Sequence, residues 1–567
     1  MNVLVLRRWS RVRTHLVAPA IGLLCVLVSV ESGGFVANPS FVRLAFAACL
    51  GALVVGLGLR APKPVLYGMI VWLAALGLTR RLISHGFAGP GQMDPLLLVE
   101  PLMLVILLVV AADHGAFKLR TRLGTTITVF IGLLVLGALN PLQGSLFAGL
   151  SSLIFFVPLA AFWIGRAMSD QTLKRALLVY AVCAIPAALY GLLQISSGFP
   201  SWDQAWIDAQ GYTALQVGSA TRPFSSFSSA AEYATFLSLG IIIWMWLGRR
   251  ALRPVSLAAL ALLGISVFYQ SSRGSVVAIC AAVALVAGAK RGLPFFASVA
   301  VGVALLASIP AIAKHFEPSS YGSSNTAQLT QHEVQGLANP FDSKQSSATA
   351  HLSLLIGGVQ SAFRNPLGSG ISAVTIAGSK FGATASASSE TDPSNAAIAL
   401  GLPGLIAYVV LLVLAIGNAY RLAQRTRDPL ALTALGVLVV LVPQWLNGGQ
   451  YAAAFVPWLV LGWVDARTAR AATDEEELEP ETAVQPAAPV VRPRPRLVPQ
   501  PKLEPRRWEL WRLERLTDLD RTADAEQAFL RRYFLVVLRS YVSYDGRLPL
   551  EFDGLVREEF GPLLGDA

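Results

Sequence analysis

Charge is what this chain lacks most. Only 14% of its 567 residues are Asp, Glu, Lys or Arg, against roughly 25% in ordinary soluble proteins. A soluble chain of this length could not cover its own surface with so few. Cysteine is scarce as well: Cys25, Cys49, Cys183 and Cys280 all fall inside apolar runs, and none is spaced for a disulfide or a metal. There is no Walker-type phosphate loop, no strand–Gly-rich–helix unit and no HExxH or paired-Cys pattern. These absences argue against ATP-driven transport, against a Rossmann-type nucleotide-sugar domain and against a metal site; no cofactor is expected.

What is present is apolar length. Hydrophobic residues make up 54% of the chain and the mean hydropathy is +0.57, the signature of an integral membrane protein. Fourteen stretches read as spans, the first over 17–30 and the last over 451–466, which predicts an all-α, polytopic membrane fold. Residues 1–466 form the transmembrane domain, with a large extracytoplasmic loop at 313–394. Residues 467–505 form an acidic and then Pro/Arg-rich linker, and 506–567 form a small cytoplasmic helical module.

The net charge of +11 is not a nucleic-acid footprint. Residues 467–567 carry a net −3, so 1–466 carry +14, lodged among the apolar segments. Cytoplasmic loops collect Lys and Arg. With the N-terminus inside, twenty-two cations fall on the cytoplasmic side and nine outside. That alternation holds through every span and puts both termini in the cytoplasm.

The long outer loop is not all coil. His351 to Arg364 places Leu352, Leu355, Ile356, Val359 and Phe363 on one helical face, and Asn365-Pro366-Leu367-Gly368-Ser369-Gly370 ends it. Residues 506–567 repeat Trp508, Trp511, Leu513 and Leu516, then Phe529, Tyr533, Phe534, Val537, Leu538 and Tyr541 at helical spacing. This module is expected to dock on the membrane domain or on a cytoplasmic partner; an amphipathic tail is the plainer alternative.

Cations outside run against the charge bias and need another reason to be there. Arg273 sits in Gln270-Ser271-Ser272-Arg273-Gly274-Ser275, between two apolar spans with almost no loop. Its planar fork at that depth suits a lipid phosphate. Arg222, in Thr221-Arg222-Pro223-Phe224-Ser225-Ser226-Phe227, stands at the next span entrance upstream, and the pair would make a pyrophosphate clamp. Mid-span Glu100 in Val99-Glu100-Pro101 is either functional or a partner for backbone groups freed by Pro101.

In this order, the Arg222 stretch, the Ser272-Arg273-Gly274 hairpin, and Asn365–Gly370 followed by Asn395 to Leu405 resemble the O-antigen ligase and O-antigen polymerase superfamily of bacterial membrane glycosyltransferases. The likeness covers about residues 200–420. It implies metal-independent transfer on the outer face of the inner membrane, from a glycan on undecaprenyl pyrophosphate to a glycan or lipid acceptor. It also implies that Arg222 and Arg273 hold the pyrophosphate. Ligases of this family carry a His just before the Asn that opens the following span; here Ser389-Glu390-Thr391-Asp392-Pro393-Ser394-Asn395 has none, so polymerase is favoured. Glu390, Asp392 and His351 are the candidate bases, the first two also being readable as loop-solvating or helix-capping groups. Arg364 is a further phosphate contact. A transporter or flippase for a lipid-linked or polar solute is the competing class.

Overall fold

The computed structural model describes residues 41–58, 61–86, 94–210, 215–248, 253–318, 320–342, 348–375, 391–446, 450–478, 506–520, 525–543 and 546–564. The first predicted span, most of the linker and Glu390 lie outside the described residues. The chain divides into two compact units, Met1–Pro480 and Glu481–Ala567.

The first unit runs α1 (Phe41–Gly58), α2 (Pro62–Gly86), α3 (Val99–Asp113), α4 (Arg122–Ala138), α5 (Leu146–Ser152), α6 (Ala161–Arg166), α7 (Asp170–Ser196), α8 (Ser201–Gln210), a two-residue hairpin of β1 (Gln216–Val217) and β2 (Ala220–Thr221), α9 (Ala230–Leu247), α10 (Arg253–Gln270), α11 (Arg273–Arg291), α12 (Phe295–His315), α13 (Asn325–Ala338), α14 (Ala348–Arg364), α15 (Asp392–Thr426), α16 (Pro429–Val440), α17 (Tyr451–Ala454) and α18 (Val456–Leu478). Among the described residues, nine helices are long and apolar enough to cross a membrane, and Phe46–Gly58, Arg122–Ala138 and Pro429–Val440 are shorter apolar helices. The chain is an all-α, multi-pass membrane protein. Its surface is in keeping: Leu136, Val301, Val303 and Val413 on these helices are all exposed.

At the centre stands α9, buried over most of its length and packed by α7, α10 and α16. Helix α16 spans only about 18 Å at 1.5 Å per residue, and Leu430 to Val440 are all buried. The apolar run that reads as a span over 429–446 is α-helical over Pro429–Val440 and continues as a short 3-10 turn at Val442–Gln444. Two close approaches rest on glycine. A Cβ at Gly165 would run into the Leu459 carbonyl, and one at Gly462 into that of Phe162, so α6 and α18 pack backbone to backbone. Beside them Arg166 and Asp465 form a buried ion pair at 2.5 Å, joined by Thr121.

Helix α15 is broken at Gly401 (φ +65°, ψ −151°), two residues before Pro403. The break frees backbone groups that a membrane interior cannot leave bare. The Asn365–Gly370 turn satisfies them: Leu402 N donates to the Pro366 carbonyl at 3.1 Å, Ser369 N to Ile398 at 2.8 Å, and Gly370 N to Ala399 at 3.0 Å. The two pieces of the third motif are thus one structural joint.

The second unit is small and helical, with α19 (Leu510–Leu519), α20 (Ala525–Leu538) and α21 (Asp553–Leu564). Trp508, Leu513, Leu538, Leu548, Val556 and Phe560 form its core. Trp508 Nε1 donates to Asp553 at 2.7 Å, and Arg531 pairs with Asp520 at 2.6 Å.

Candidate anion-binding site

Arg222 follows β2 and opens a stretch, 222–229, that is not helical although helices wall it in. Its backbone groups find partners one by one. Gln194 Oε1 accepts from Phe224 N at 3.1 Å and Ser225 N at 2.8 Å. Ser225 Oγ donates to the Ala187 carbonyl at 2.6 Å. Ser226 inserts into α2: its carbonyl accepts from Leu78 N at 2.7 Å and its hydroxyl donates to Ala74 O at 2.6 Å. Gly77 permits this, because a Cβ there would lie 2.6 Å from Ser226 O. Arg81, ion-paired to Asp203 at 2.7 Å with both side chains fully buried, donates to the Ser225 and Phe227 carbonyls. Arg222 is thereby presented from a rigid loop, with Ser225 held at φ +53°.

Arg273 is presented by the turn between α10 and α11, where Ser271 takes φ +60°. Over this turn lies α13, begun by Ser324, whose hydroxyl accepts from Ala327 N. Leu329, His332, Glu333 and Gly336 recur at helical spacing on one face. Ser271 Oγ donates to Leu329 O at 3.3 Å and lies 2.8 Å from His332 Nδ1. Arg273 Nη2 is 2.7 Å from His332 Nε2. A guanidinium can only donate, so Nε2 accepts, Nδ1 carries the proton, and the imidazole is neutral. Gly336 makes room for Arg273, since a Cβ there would come 2.5 Å from Arg273 Cδ and closer still to its guanidinium.

Burial, Arg273 and Arg222 hold His332 down to about 4. Burial pushes Glu333 up to about 7, opposed by Arg273, Arg222 and Ser271. Ser271, however, spends its hydroxyl on His332 and Leu329, and neither Glu333 oxygen has a hydrogen-bond partner of ordinary geometry. Burial and the neighbouring Arg273 push Arg222 below its usual range, with Glu333 opposing; Arg222 Nε is buried without a hydrogen-bond partner. Two guanidinium groups, a neutral imidazole and one carboxyl group leave a net positive site that an anion would complete.

The structure brings Arg222 and Arg273 together. It puts the other sequence candidates elsewhere or to other use. Asp392 is buried and accepts from Tyr408 Oη at 3.0 Å and Leu446 N at 2.8 Å, pinning the chain that follows α16. Glu232 does the same from the other side, accepting from Ser228 N at 3.1 Å and Ala452 N at 3.0 Å. His351 and Arg364 stand at opposite ends of α14 with exposed side chains. Glu390 is outside the described residues. Glu100 is buried, and its Oε1 has no hydrogen-bond partner. Among the described residues no group of three or more His, Cys, Asp or Glu side chains is arranged to hold a metal.

His332 and Glu333 are the residues that the sequence reading missed. Helix α13 is too polar to stand out by hydropathy, and its signal was local: a Ser cap followed by Leu329, His332, Glu333 and Gly336 at one-face spacing. No family model and no curated protein matches the chain.

Proposed function

We propose that the protein is a membrane glycosyltransferase that polymerises or ligates cell-surface polysaccharide from an undecaprenyl-pyrophosphate-linked glycan, on the outer face of the bacterial inner membrane. The reading takes fourteen spans and both termini cytoplasmic. It rests on one observation above others: Arg222 and Arg273, two of the cations that run against the charge bias, converge on one half-buried site with His332 and Glu333. Two guanidinium groups suit a pyrophosphate, donating charge-assisted hydrogen bonds worth about 1.5–3 kcal/mol each. They gain most as the leaving phosphate takes up charge.

A transporter or flippase draws on the breaks near Gly401 and after α16, since transporter sites use broken helices. Those breaks are closed by the chain's own groups: the 365–370 turn at one, Asp392 and Glu232 at the other. At the arginine site, by contrast, Arg222 Nε and both Glu333 oxygens are buried without a hydrogen-bond partner. The test is direct. Protein in nanodiscs with undecaprenyl-pyrophosphate glycan and an acceptor is expected to release lipid pyrophosphate and lengthen or transfer the glycan. Arg273→Ala is expected to cut turnover on the order of 10²–10³-fold at normal expression. Flux in proteoliposomes with no product would sink the transferase reading.

A further inference from the structure

Resting on the transferase reading, we propose that Glu333 is the base that takes the acceptor hydroxyl proton, and that His332 is a positioning residue for Arg273. His332 has both ring nitrogens engaged, by Ser271 and by Arg273. The only nitrogen able to take a proton faces a guanidinium, and adding charge there would oppose Arg273. Glu333 differs in every respect. Its side chain is fully buried, both oxygens are unpartnered, and it lies in charge range of both arginines. An unpartnered buried carboxylate beside an anion site has acceptor capacity left for a ligand hydroxyl. Asp392, by contrast, already accepts from Tyr408 Oη and Leu446 N at its Oδ2. Because Glu333 is fully buried, the assignment requires α13 to shift to admit an acceptor.

The step balances without a co-reactant. The acceptor oxygen bonds the anomeric carbon as its proton passes to a Glu333 oxygen. The bond from that carbon to the phosphate oxygen breaks, and its electron pair leaves on the lipid pyrophosphate held by Arg222 and Arg273. Glu333 then returns the proton to water as products depart. Burial raises Glu333 against Arg273 and Ser271 at the α10–α11 turn and Arg222 beside the β hairpin; His332 is its neighbour on α13, and Lys314 and His315 lie in the last turn of α12, which packs on α13.

The experiment measures kcat/KM against pH for the full chain in nanodiscs, with inorganic pyrophosphate binding followed separately. Wild type should show a limb that rises with pH, because the base must be deprotonated, near the value of about 7 held by Glu333. Glu333→Gln should lose at least about 100-fold in kcat and lose that limb, while pyrophosphate binds as well or more tightly. His332→Gln, whose amide oxygen still accepts from Arg273, should keep the limb and most of kcat while raising donor KM. Glu333→Gln with wild-type kcat or an intact limb overturns the proposal, as does loss of the limb in His332→Gln alone. If Glu333→Gln fails to fold, Glu333→Asp decides: the limb must move along the pH axis, and an unmoved limb overturns the assignment. Wild type that neither turns over donor nor binds pyrophosphate overturns the transferase reading itself, an outcome separate from active wild type with an indifferent Glu333.

Discussion

Gly336→Ala perturbs the site without touching a charged group. Helix α13 should welcome it, since alanine is favoured over glycine by about 1 kcal/mol in a helix interior. The new Cβ would sit 2.5 Å from Arg273 Cδ, where carbon atoms prefer about 3.5–4.0 Å. Arg273 must therefore retreat by about 1 Å at Cδ and more at its fork, and the 2.7 Å contact with His332 would be lost or rebuilt. The clash falls on the flexible arm of a side chain, so the fold yields there cheaply. A displacement of about 1 Å in a catalytic array costs on the order of 10²-fold in rate. Thermal unfolding in detergent should show a midpoint equal to wild type or higher, and the donor–acceptor assay should show kcat/KM down by about that factor. Full turnover in a well-folded Gly336→Ala protein would refute the placement of Arg273 as a working part of the site.

Gly401→Ala should be severe, because φ +65° with ψ −151° is essentially a glycine-only conformation and costs a substituted residue on the order of 3 kcal/mol; yield and thermal midpoint report it. Asp465→Ala leaves the Arg166 guanidinium buried without its 2.5 Å partner and should cost about 3–5 kcal/mol. An Arg166→Met, Asp465→Leu double variant should recover most of that in the same melt. Acid stability should carry the mark of His332. Its folded value of about 4 lies below the ordinary 6.5, so the fold holds fewer protons there. The stability it lends is present above 6.5 and drains as pH falls towards 4. Glu333 runs the other way, raised from 4.5 to about 7, so its contribution is present below 4.5 and lost as pH rises through 7. Midpoints measured across pH for wild type, His332→Gln and Glu333→Gln should show the first loss vanish only in the histidine variant and the second only in the glutamate variant.

Legibility in the sequence followed the range of the interaction responsible. Membrane insertion is a property of long apolar runs, so the all-α, multi-pass character was plain from hydropathy. The number of spans was less plain: Pro429–Val440 is a short apolar helix buried along its length, and hydropathy alone does not separate a helix packed in protein from one facing lipid. Arg222 and Arg273 were visible because each breaks a charge rule that applies locally, at a span boundary. What brings them together is not local. It depends on Ser226 wedging into α2, on Arg81 pairing with Asp203, and on a polar helix from the long segment laying His332 and Glu333 over the turn at Ser271. Asp392 is the contrasting case. Its setting before Pro393 and Asn395 invited a catalytic reading; in the fold its Oδ2 accepts from Tyr408 and from Leu446 N, fifty-four positions further on. A carboxylate that accepts two such bonds serves as a structural tie, whereas one buried beside two arginines with both oxygens unpartnered retains the capacity for proton transfer. That difference in setting, which spacing alone does not encode, separates Glu333 from Asp392.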